Sequence, residues 1–474
     1  EAYDLAQYES VGIELIQHLS RRLTRSIQAN TKTVLPWEKA TDFWENGFDH
    51  ATEGGIALLR EVADKMIQLH HPRYLGHQIA PVLPIVGLAG LLTFSLNNGM
   101  GVYEMGMAGT IMERALIEEL RSAMGMGPEA GGIMTSGGTL ANLTALLAAR
   151  QAMSPHDIWE DGYADGERLA IMVSAEAHYS VQRAVRIMGW GREGMIKIPV
   201  DEQYRLRADL LPAAFQKAKE KGRKVIAVVG SSCSTATGSF DPLDEIGAFC
   251  EAENLWFHVD AAHGGPAIFS EREKSLLAGI EKADSVLMDF HKMALCPALC
   301  TALIFGKERD SYRTFAQKAA YLWEDPAEEE WYNLGKRTFE CTKQMMSLAP
   351  YLIMQEYGTQ IWGDYVEGMF ALGRSFGERL ASESDFEVLI PPTGNIVCFR
   401  YVPSASVELD QLNRLIRLQL RDEGEFYIVQ TEVAGKLYLR TALMNPFTKM
   451  EDLEALLRRI REIGKEAMQK SVSA

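Results

Sequence analysis

Short apolar runs alternate with helical stretches from about residue 130 onward, and this alternation restricts the folds that the chain can adopt. The apolar runs cover residues 168–175, 224–232, 255–261, 285–290 and 301–306. Alternation of this kind indicates a mostly parallel sheet with helices on both faces. In such sheets, ligands bind beyond the carboxyl ends of the strands.

Different patterns flank this α/β region. Apolar positions at helical spacing predict N-terminal helices over 4–28, 53–70 and 83–98. A long helical stretch continues to about 380, and three alternating runs at 395–402, 425–432 and 436–443 then precede a helix at about 449–463. We therefore predict an N-terminal helical segment (1–105), a large α/β domain (106–380) and a small C-terminal α+β domain (381–474).

The composition argues against nucleic acid and membrane partners. The 474 residues carry a formal charge of −16 at pH 7, which repels polyanions and anionic lipid surfaces. The longest apolar stretch, 80–96, contains two prolines and two glycines and is shorter than the ~20 residues of a spanning helix. The acidic N-terminal residues lack the pattern of a secretory signal, so we expect a cytoplasmic protein.

The six cysteines include no CxxC pair and are too sparse for a disulfide framework, so we interpret them as reduced core thiols. Cys296 and Cys300 are close in sequence, but no neighbouring His or Cys completes a tetrahedral metal set. We predict no metal site.

One GxGxxG pattern occurs, at Gly189, Gly191 and Gly194. A dinucleotide-binding fingerprint requires a strand before the pattern and a helix after it. Here a helix-like segment precedes the pattern and an alternating segment follows it. The context therefore argues against nicotinamide or flavin binding.

A second glycine segment, TSGGT at 135–139, stands directly before a helical run at 140–153. Small residues let consecutive backbone N–H groups approach an anion at a helix N-terminus, and the hydroxyls add donors. The segment therefore predicts a phosphate site. Taken alone, it is equally compatible with an ordinary capped helix start.

Three residues that can carry chemistry follow predicted strands. His178 comes after the run at 168–175, Asp260 is near the end of the run at 255–261, and Lys292 follows the run at 285–290. A pyridoxal cofactor requires a lysine amine, a carboxylate for the pyridine nitrogen, a flat side chain over the ring and a phosphate site. Each residue alone has an ordinary structural explanation, but their joint position at strand ends favours a cofactor site.

Seven segments, in this order, carry a resemblance to a known family: HPRYLG (71–76), YEMGMAGTIME (103–113), TSGGTLANLTALLAAR (135–150), GSFDPLDEI (238–246), HVDAAHGG (258–265), ADSVLMDFHK (283–292) and LRTALMNP (439–446). They are similar to segments of the group II pyridoxal-dependent amino acid decarboxylases, which include the glutamate, cysteine sulfinate and aromatic amino acid decarboxylases. The resemblance implies the pyridoxal-phosphate transferase fold (aspartate aminotransferase, fold type I) and pyridoxal 5'-phosphate as cofactor. It also implies that an L-amino acid is converted to the corresponding amine and carbon dioxide.

The resemblance assigns roles to individual residues. Lys292 would bond the cofactor, Asp260 would pair with its pyridine nitrogen, and His178 would stack on its ring. The phosphate would be held by Thr135, Ser136, Gly137 and His291. Ala262 would pack under the ring, Thr235 would lie near the phenolic oxygen, and Arg440 would bind the substrate carboxylate.

The sequence departs from the family in the loop at 320–336. Family members carry a tyrosine there that is thought to return a proton to the substrate carbon, whereas this chain has Ala or Glu at the matching position. Tyr321 and Tyr332 flank that position without aligning with it. We interpret the acidic run at 324–330 as a solvated loop, which leaves Tyr332 and His291 as proton-donor candidates.

A second departure concerns the substrate side chain. Met107 replaces the proline that is usual in the family, and His77 stands where the glutamate-type members carry glutamine. We expect the pocket to be lined by Tyr74, His77, Met100 and Tyr103. The identity of the amino acid stays open.

The resemblance also implies a homodimer with the active site at the interface, to which 71–105 would contribute from the second subunit. Three alternatives to simple decarboxylation remain: a carbon–carbon lyase, an oxidative deaminase that forms an aldehyde, and a catalytically silent homologue. The retained Lys292, Asp260 and His178 argue against the silent homologue.

Overall fold

The computed structural model describes residues 3–46, 55–315 and 330–472. The chain divides into two compact units. Unit 1 combines residues 1–81 with 369–474, and unit 2 comprises residues 82–368. The three-part division predicted from the sequence, with boundaries at 105 and 380, stays a prediction.

The helices of the described residues are α1 (Leu5–Ile27), α2 (Ala40–Asn46), α3 (Gly55–Lys65), α4 (Ile85–Leu96), α5 (Met107–Ala123), α6 (Gly138–Ala152), α7 (Ile158–Asp161), α8 (Tyr179–Ile187), α9 (Leu211–Glu220), α10 (Leu243–Glu253), α11 (Leu348–Tyr357), α12 (Gln360–Ala381), α13 (Leu409–Glu423) and α14 (Met450–Val472). The N-terminal helices predicted from the apolar spacing correspond to α1, α3 and α4. The sequence also predicted a long helical stretch that continues to about residue 380. Among the described residues between 306 and 381, only α11 and α12 are α-helices.

Unit 2 is built on a sheet whose strands are β1 (Gly131–Thr135), β2 (Leu169–Ser174), β3 (Met195–Ile198), β4 (Lys224–Ser231), β5 (Trp256–Asp260), β6 (Ser285–Asp289) and β7 (Thr301–Phe305). Their order across the sheet is β1-β7-β6-β5-β4-β2-β3. Every neighbouring pair is parallel except the two pairs that include β7. The prediction of a mostly parallel sheet is confirmed.

The reversed direction of β7 follows from the short connection that leads into it. Only residues 290–300 join β6 to β7, whereas a crossover between parallel strands needs roughly a dozen residues or more. The chain therefore turns directly at the carboxyl end of β6. This turn contains His291 and Lys292.

The sheet is covered on both faces, because β1, β2, β5, β6 and β7 are buried at every residue. Leu146 of α6 and Val181 of α8 belong to the same apolar cluster as Ile171 and Val173 of β2. Full burial of one such side chain stabilises the fold by about 1.5–3 kcal/mol. The packed core thus holds the carboxyl ends of the strands in fixed positions.

Unit 1 contains a second, smaller sheet, formed by β8 (Phe386–Val388), β9 (Ile396–Tyr401), β10 (Val429–Val433) and β11 (Lys436–Ala442). The order is β10-β11-β9-β8, and all pairs are antiparallel. Leu412, Ile416 and Leu420 lie one helical turn apart on α13 and are buried in the core of this unit. The small C-terminal α+β arrangement is confirmed.

Candidate active site

The carboxyl ends of the strands in unit 2 surround a cavity of about 370 Å³. Its lining residues are Ser136, Gly137, Gly138, Thr139, Asn142, His178, Ser231, Cys233, Ser234, Thr235, Asp260, Ala262, His263, Asp289, His291, Lys292 and Leu299. The cavity thus brings together most of the residues to which the resemblance assigns a cofactor role. The lining residues come from six separate segments of the chain.

The glycine segment forms the start of α6 at one side of this cavity. Gly137 precedes the helix with a φ of +130°, a conformation that is open to glycine but not to residues with a Cβ atom. The hydroxyl of Ser136 donates to Glu340 Oε1 at 3.0 Å. Thr135 is buried at the end of β1, with its hydroxyl 3.4 Å from the Gly137 carbonyl oxygen, and does not line the cavity. The helix start therefore presents backbone N–H groups, which suit an anion.

Asp260 is the last residue of β5 and is 9% exposed. Its Oδ2 atom accepts from Asn142 Nδ2 at 3.0 Å, and its Oδ1 atom accepts from the backbone N–H of Ala262 at 3.2 Å. Both of these donors are neutral. Within the described residues, no ion pair involves this carboxylate.

His178 caps the N-terminus of α8, which places its ring at the cavity. The Nδ1 atom lies 2.7 Å from Ser180 Oγ. Burial lowers the pKa of His178, an effect that nearby Asp260 opposes, so the ring is neutral at pH 7. A neutral, flat ring is suited to lie against an aromatic ligand.

Lys292 extends from the turn after β6 and lies beside a carboxylate. Its Nζ atom is 3.2 Å from Asp289 Oδ2, which is also 3.5 Å from His291 Nε2. The other oxygen, Asp289 Oδ1, accepts from Thr301 Oγ1 at 2.5 Å. We did not predict Asp289 from the sequence, although its position at the end of β6 and its separation of three residues from Lys292 are signals for it.

The candidate proton donor Tyr332 lies in unit 2 beside Tyr103. The two rings meet edge to face, with their centroids 5.5 Å apart. The backbone N–H of Tyr103 donates to Asn333 Oδ1 at 2.9 Å. Neither tyrosine is among the described residues that line the cavity. Tyr321 and residues 316–329 lie outside the described residues.

Arg440 belongs to unit 1, where it is 5% exposed and donates to Gln78 Oε1 at 2.9 Å. Burial is the main cause of a lowered pKa of His77, and the positive charge of Arg440 adds to it. Tyr74 stacks on Tyr427 with centroids 5.6 Å apart. The structure therefore brings Arg440, His77 and Tyr74 into one region of unit 1.

The residues around the cavity fit a pyridoxal phosphate cofactor. Asp260 is a buried carboxylate without a cationic partner among the described residues, a costly arrangement that a protonated pyridine nitrogen would relieve. Lys292 supplies an amine, and the start of α6 supplies donors for a phosphate. The fold and the cavity thus define a pyridoxal-phosphate-dependent enzyme.

Comparison with known proteins identifies the family. The model of the pyridoxal-dependent decarboxylase conserved domain matches residues 62–402. The chain therefore belongs to the pyridoxal-dependent decarboxylases and is a pyridoxal-phosphate-dependent carboxy-lyase.

Individual relatives agree with this assignment. The chain is 27% identical to L-2,4-diaminobutyrate decarboxylase of Acinetobacter baumannii, over 97% of this chain and 93% of the relative. It is 28% identical to the human acidic amino acid decarboxylase GADL1, over 87% and 81%. The crystal structure of the glutamate decarboxylase domain of a diaminobutyrate-pyruvate transaminase and L-2,4-diaminobutyrate decarboxylase from Vibrio parahaemolyticus superposes with a TM-score of 0.85 at 25% identity, covering 98% of this chain and 97% of that one.

The described residues contain no helix that combines the length and the apolar character needed to span a membrane. They also contain no group of three or more His, Cys, Asp or Glu side chains arranged to hold a metal ion. The GxGxxG pattern lies between α8 and β3, so a helix precedes it and a strand follows it.

Proposed function

We propose that Lys292 is the residue to which pyridoxal phosphate attaches in this amino acid decarboxylase, and that Asp260 holds the proton on the pyridine nitrogen. The observation that carries the proposal is the position of the lysine amine and the buried carboxylate on one cavity, with the start of α6 beside them. When bound, the cofactor supplies an electron sink for the bond that breaks at the substrate Cα.

The other residues of the chain bind and orient. His178 is assigned to the face of the cofactor ring, with Ala262 against the opposite face and Thr235 near its phenolic oxygen. Ser136, Gly137 and His291 are assigned to the phosphate, and Thr135 supports them from β1. These roles follow the resemblance and agree with the chemistry of each side chain.

Arg440 is assigned to the α-carboxylate of the substrate. A guanidinium group binds a carboxylate with two parallel hydrogen bonds, which fixes the orientation of the carbon–carbon bond that breaks. Loss of carbon dioxide must be followed by protonation at Cα. His291, which lines the cavity, and Tyr332 are the candidates for this step.

The substrate side chain is assigned to Tyr74, His77 and Tyr103, with Met100 as a further candidate. The names of the relatives define the substrates to test first: L-2,4-diaminobutyrate and the acidic amino acids. We expect His77→Gln to change the preference between these substrates, measured as the ratio of their kcat/KM values. An unchanged ratio would contradict the assignment of His77.

The protein is further proposed to act as a homodimer with the active site at the subunit interface. Support comes from an exposed apolar surface on α4, where the exposed fractions are 54% for Leu88, 45% for Leu91, 46% for Leu92, 70% for Phe94 and 59% for Leu96. A continuous apolar surface of this kind marks an interaction site. Light scattering at micromolar concentration tests this proposal, because a mass of 52.8 kDa, that of one chain, would contradict it.

A cytoplasmic location stays a prediction. It is supported by the six free cysteines, five of which are buried, since reducing compartments keep cysteines as thiols. Fractionation of the source cells measures the location directly.

The cofactor assignment is tested by absorbance and mass spectrometry. The protein with pyridoxal phosphate is expected to show a visible absorbance band and, after borohydride reduction, an adduct on Lys292. Lys292→Ala should lose both, whereas Lys274→Ala, which removes an exposed lysine, should keep both. Absence of the band and the adduct from the unmodified protein would refute the proposal.

Product analysis then separates the reactions that remain possible. Amine and carbon dioxide in equal amounts are the expected products of simple decarboxylation. Aldehyde and ammonia would identify the oxidative reaction instead. Binding of the cofactor to Lys292 without turnover of any amino acid would indicate a silent homologue.

A further inference from the structure

The amide of Asn142 lies between two residues that are assigned to the cofactor. Asn142 is near the start of α6 and is 1% exposed. Its Nδ2 atom is 3.0 Å from Asp260 Oδ2 and 3.0 Å from Ser180 Oγ. Its Oδ1 atom is 2.9 Å from His258 Nε2. One side chain of α6 therefore contacts both β5 and α8.

The hydrogen bonds around this amide have a single consistent direction. An ionised carboxylate only accepts, so the amide nitrogen faces Asp260 and the amide oxygen accepts from His258 Nε2. Burial lowers the pKa of His258, which keeps that ring neutral. Its Nδ1 atom therefore accepts from Ser285 Oγ at 2.8 Å, and the longer 3.2 Å contact of Nδ1 with the carbonyl oxygen of Ser285 carries no hydrogen bond. His258 and Ser285 thus hold the amide in one orientation.

The second hydrogen of the Asn142 amide connects to His178 through the hydroxyl of Ser180. Ser180 Oγ accepts from Asn142 and lies 2.7 Å from His178 Nδ1. Because this hydroxyl already accepts from Asn142, it donates its own hydrogen to Nδ1, and Nδ1 carries no proton. The backbone N–H of Ser180 also faces Nδ1, but at 3.4 Å it is too distant to select the tautomer by itself. In the neutral ring the proton then resides on Nε2.

We propose that Asn142 is a positioning residue that couples Asp260 to His178, because it orients the carboxylate directly and selects the Nε2–H tautomer of the imidazole through Ser180. The proposal rests on the function proposed above, since it concerns two residues assigned to the pyridine ring. One amide would thereby orient the Asp260 carboxylate that accepts from the pyridine nitrogen. It would also determine which nitrogen of the His178 ring carries the proton.

Two measurements on the full-length protein test this coupling. The first is the dissociation constant of pyridoxal phosphate, obtained by equilibrium dialysis. The second is the set of imidazole ¹⁵N chemical shifts of histidine-labelled protein without added cofactor, which report the tautomer of each ring. The signal of His178 is identified among the ten histidines by its loss in His178→Gln.

The variants separate the two branches of the network. Asn142→Leu, which keeps the size but removes the amide, should raise the dissociation constant about 10–100-fold, because a hydrogen bond to a charged group contributes about 1.5–3 kcal/mol. The same variant should give a mixture of His178 tautomers. Ser180→Ala should give that mixture with a much smaller change in affinity, since the bond from Asn142 to Asp260 remains. Combining both changes should not alter the tautomers further.

Thr144→Val is the matched control, because Thr144 is also 1% exposed and lies on the same helix. It should leave the affinity and the tautomer unchanged, which excludes a general effect of altering α6. The coupling is refuted if Asn142→Leu has the same unfolding temperature as Thr144→Val and keeps both the pyridoxal phosphate affinity and the His178 tautomer of the unmodified protein. It is also refuted if Ser180→Ala leaves the tautomer unchanged, a result that does not depend on folding of the Asn142 variant.

A failure of the proposed function is recognisable separately. In that case the unmodified protein would give no borohydride adduct on Lys292. The tautomer measurement needs no cofactor and would still decide whether Asn142 acts on His178.

Discussion

Lys343→Met is expected to lower the free energy of unfolding by about 3–5 kcal/mol, the typical cost of removing one partner from a buried ion pair. The side chains of Lys343 and Glu113 are only 4% and 2% exposed. Lys343 Nζ lies 2.6 Å from Glu113 Oε1 and 2.7 Å from the carbonyl oxygen of Met134. The substitution leaves the Glu113 carboxylate buried without its cation, and burial of a single charge is far more costly than burial of the pair.

Urea unfolding followed by circular dichroism gives the magnitude. The double variant Glu113→Leu/Lys343→Met should lose less stability than the sum of the two single variants, because no uncompensated charge stays buried. Lys274→Met is the control, since its pair with Glu271 is exposed and should contribute less than about 1 kcal/mol. If Lys343→Met costs no more than this control, the reasoning from the buried pair is wrong.

The remaining predictions concern pH, packing and backbone conformation. Burial lowers the pKa of His71, His178 and His258, so on acidification these side chains bind protons in the unfolded chain before they do so in the folded protein. Their contribution to the free energy of unfolding should be fully present above about pH 6.5. Below that pH it should fall by about 1.4 kcal/mol per pH unit for each histidine, measured by urea unfolding. Stability that is equal at about pH 7.5 and about pH 5.5 would contradict this. Trp362→Ala empties a fully buried position and should cost about 3–5 kcal/mol in thermal unfolding; a loss below about 1 kcal/mol would contradict it. Gly279→Ala should cost about 1–3 kcal/mol by urea unfolding, because φ is +94° and the added Cβ would lie 2.4 Å from a backbone atom of α10; unchanged stability would show that this loop adapts.

The sequence pattern alone predicted five of the seven strands of the large sheet and the segments that carry the chemistry. Continuous apolar runs predict buried strands, and five of these runs are β2, β4, β5, β6 and β7. Parallel strands have their carboxyl ends at one edge of the sheet, so residues that follow different strands were expected to meet. Asp260, His178 and Lys292 do line one cavity, although their roles there stay proposals.

Strand β1 could be identified only from the tertiary structure. Gly131 and Gly132 make this segment less apolar than a typical buried strand. The need for a glycine at position 132 arises from a contact with another part of the chain. A Cβ atom at Gly132 would lie 2.3 Å from the carbonyl oxygen of Leu303 in β7. The close approach of the two strands becomes visible only once they are paired.

Asn142 and Asp289 also needed the tertiary structure, because their contacts join segments that are distant in sequence or separated by a turn. Asn142 reaches residues 38 and 118 positions away. No periodic pattern on α6 distinguishes an amide that bonds a carboxylate from one that faces solvent. Local patterns depend on neighbours along the chain and therefore predict strands and helices. Partners of individual side chains depend on which elements pack together, and the fold decides that.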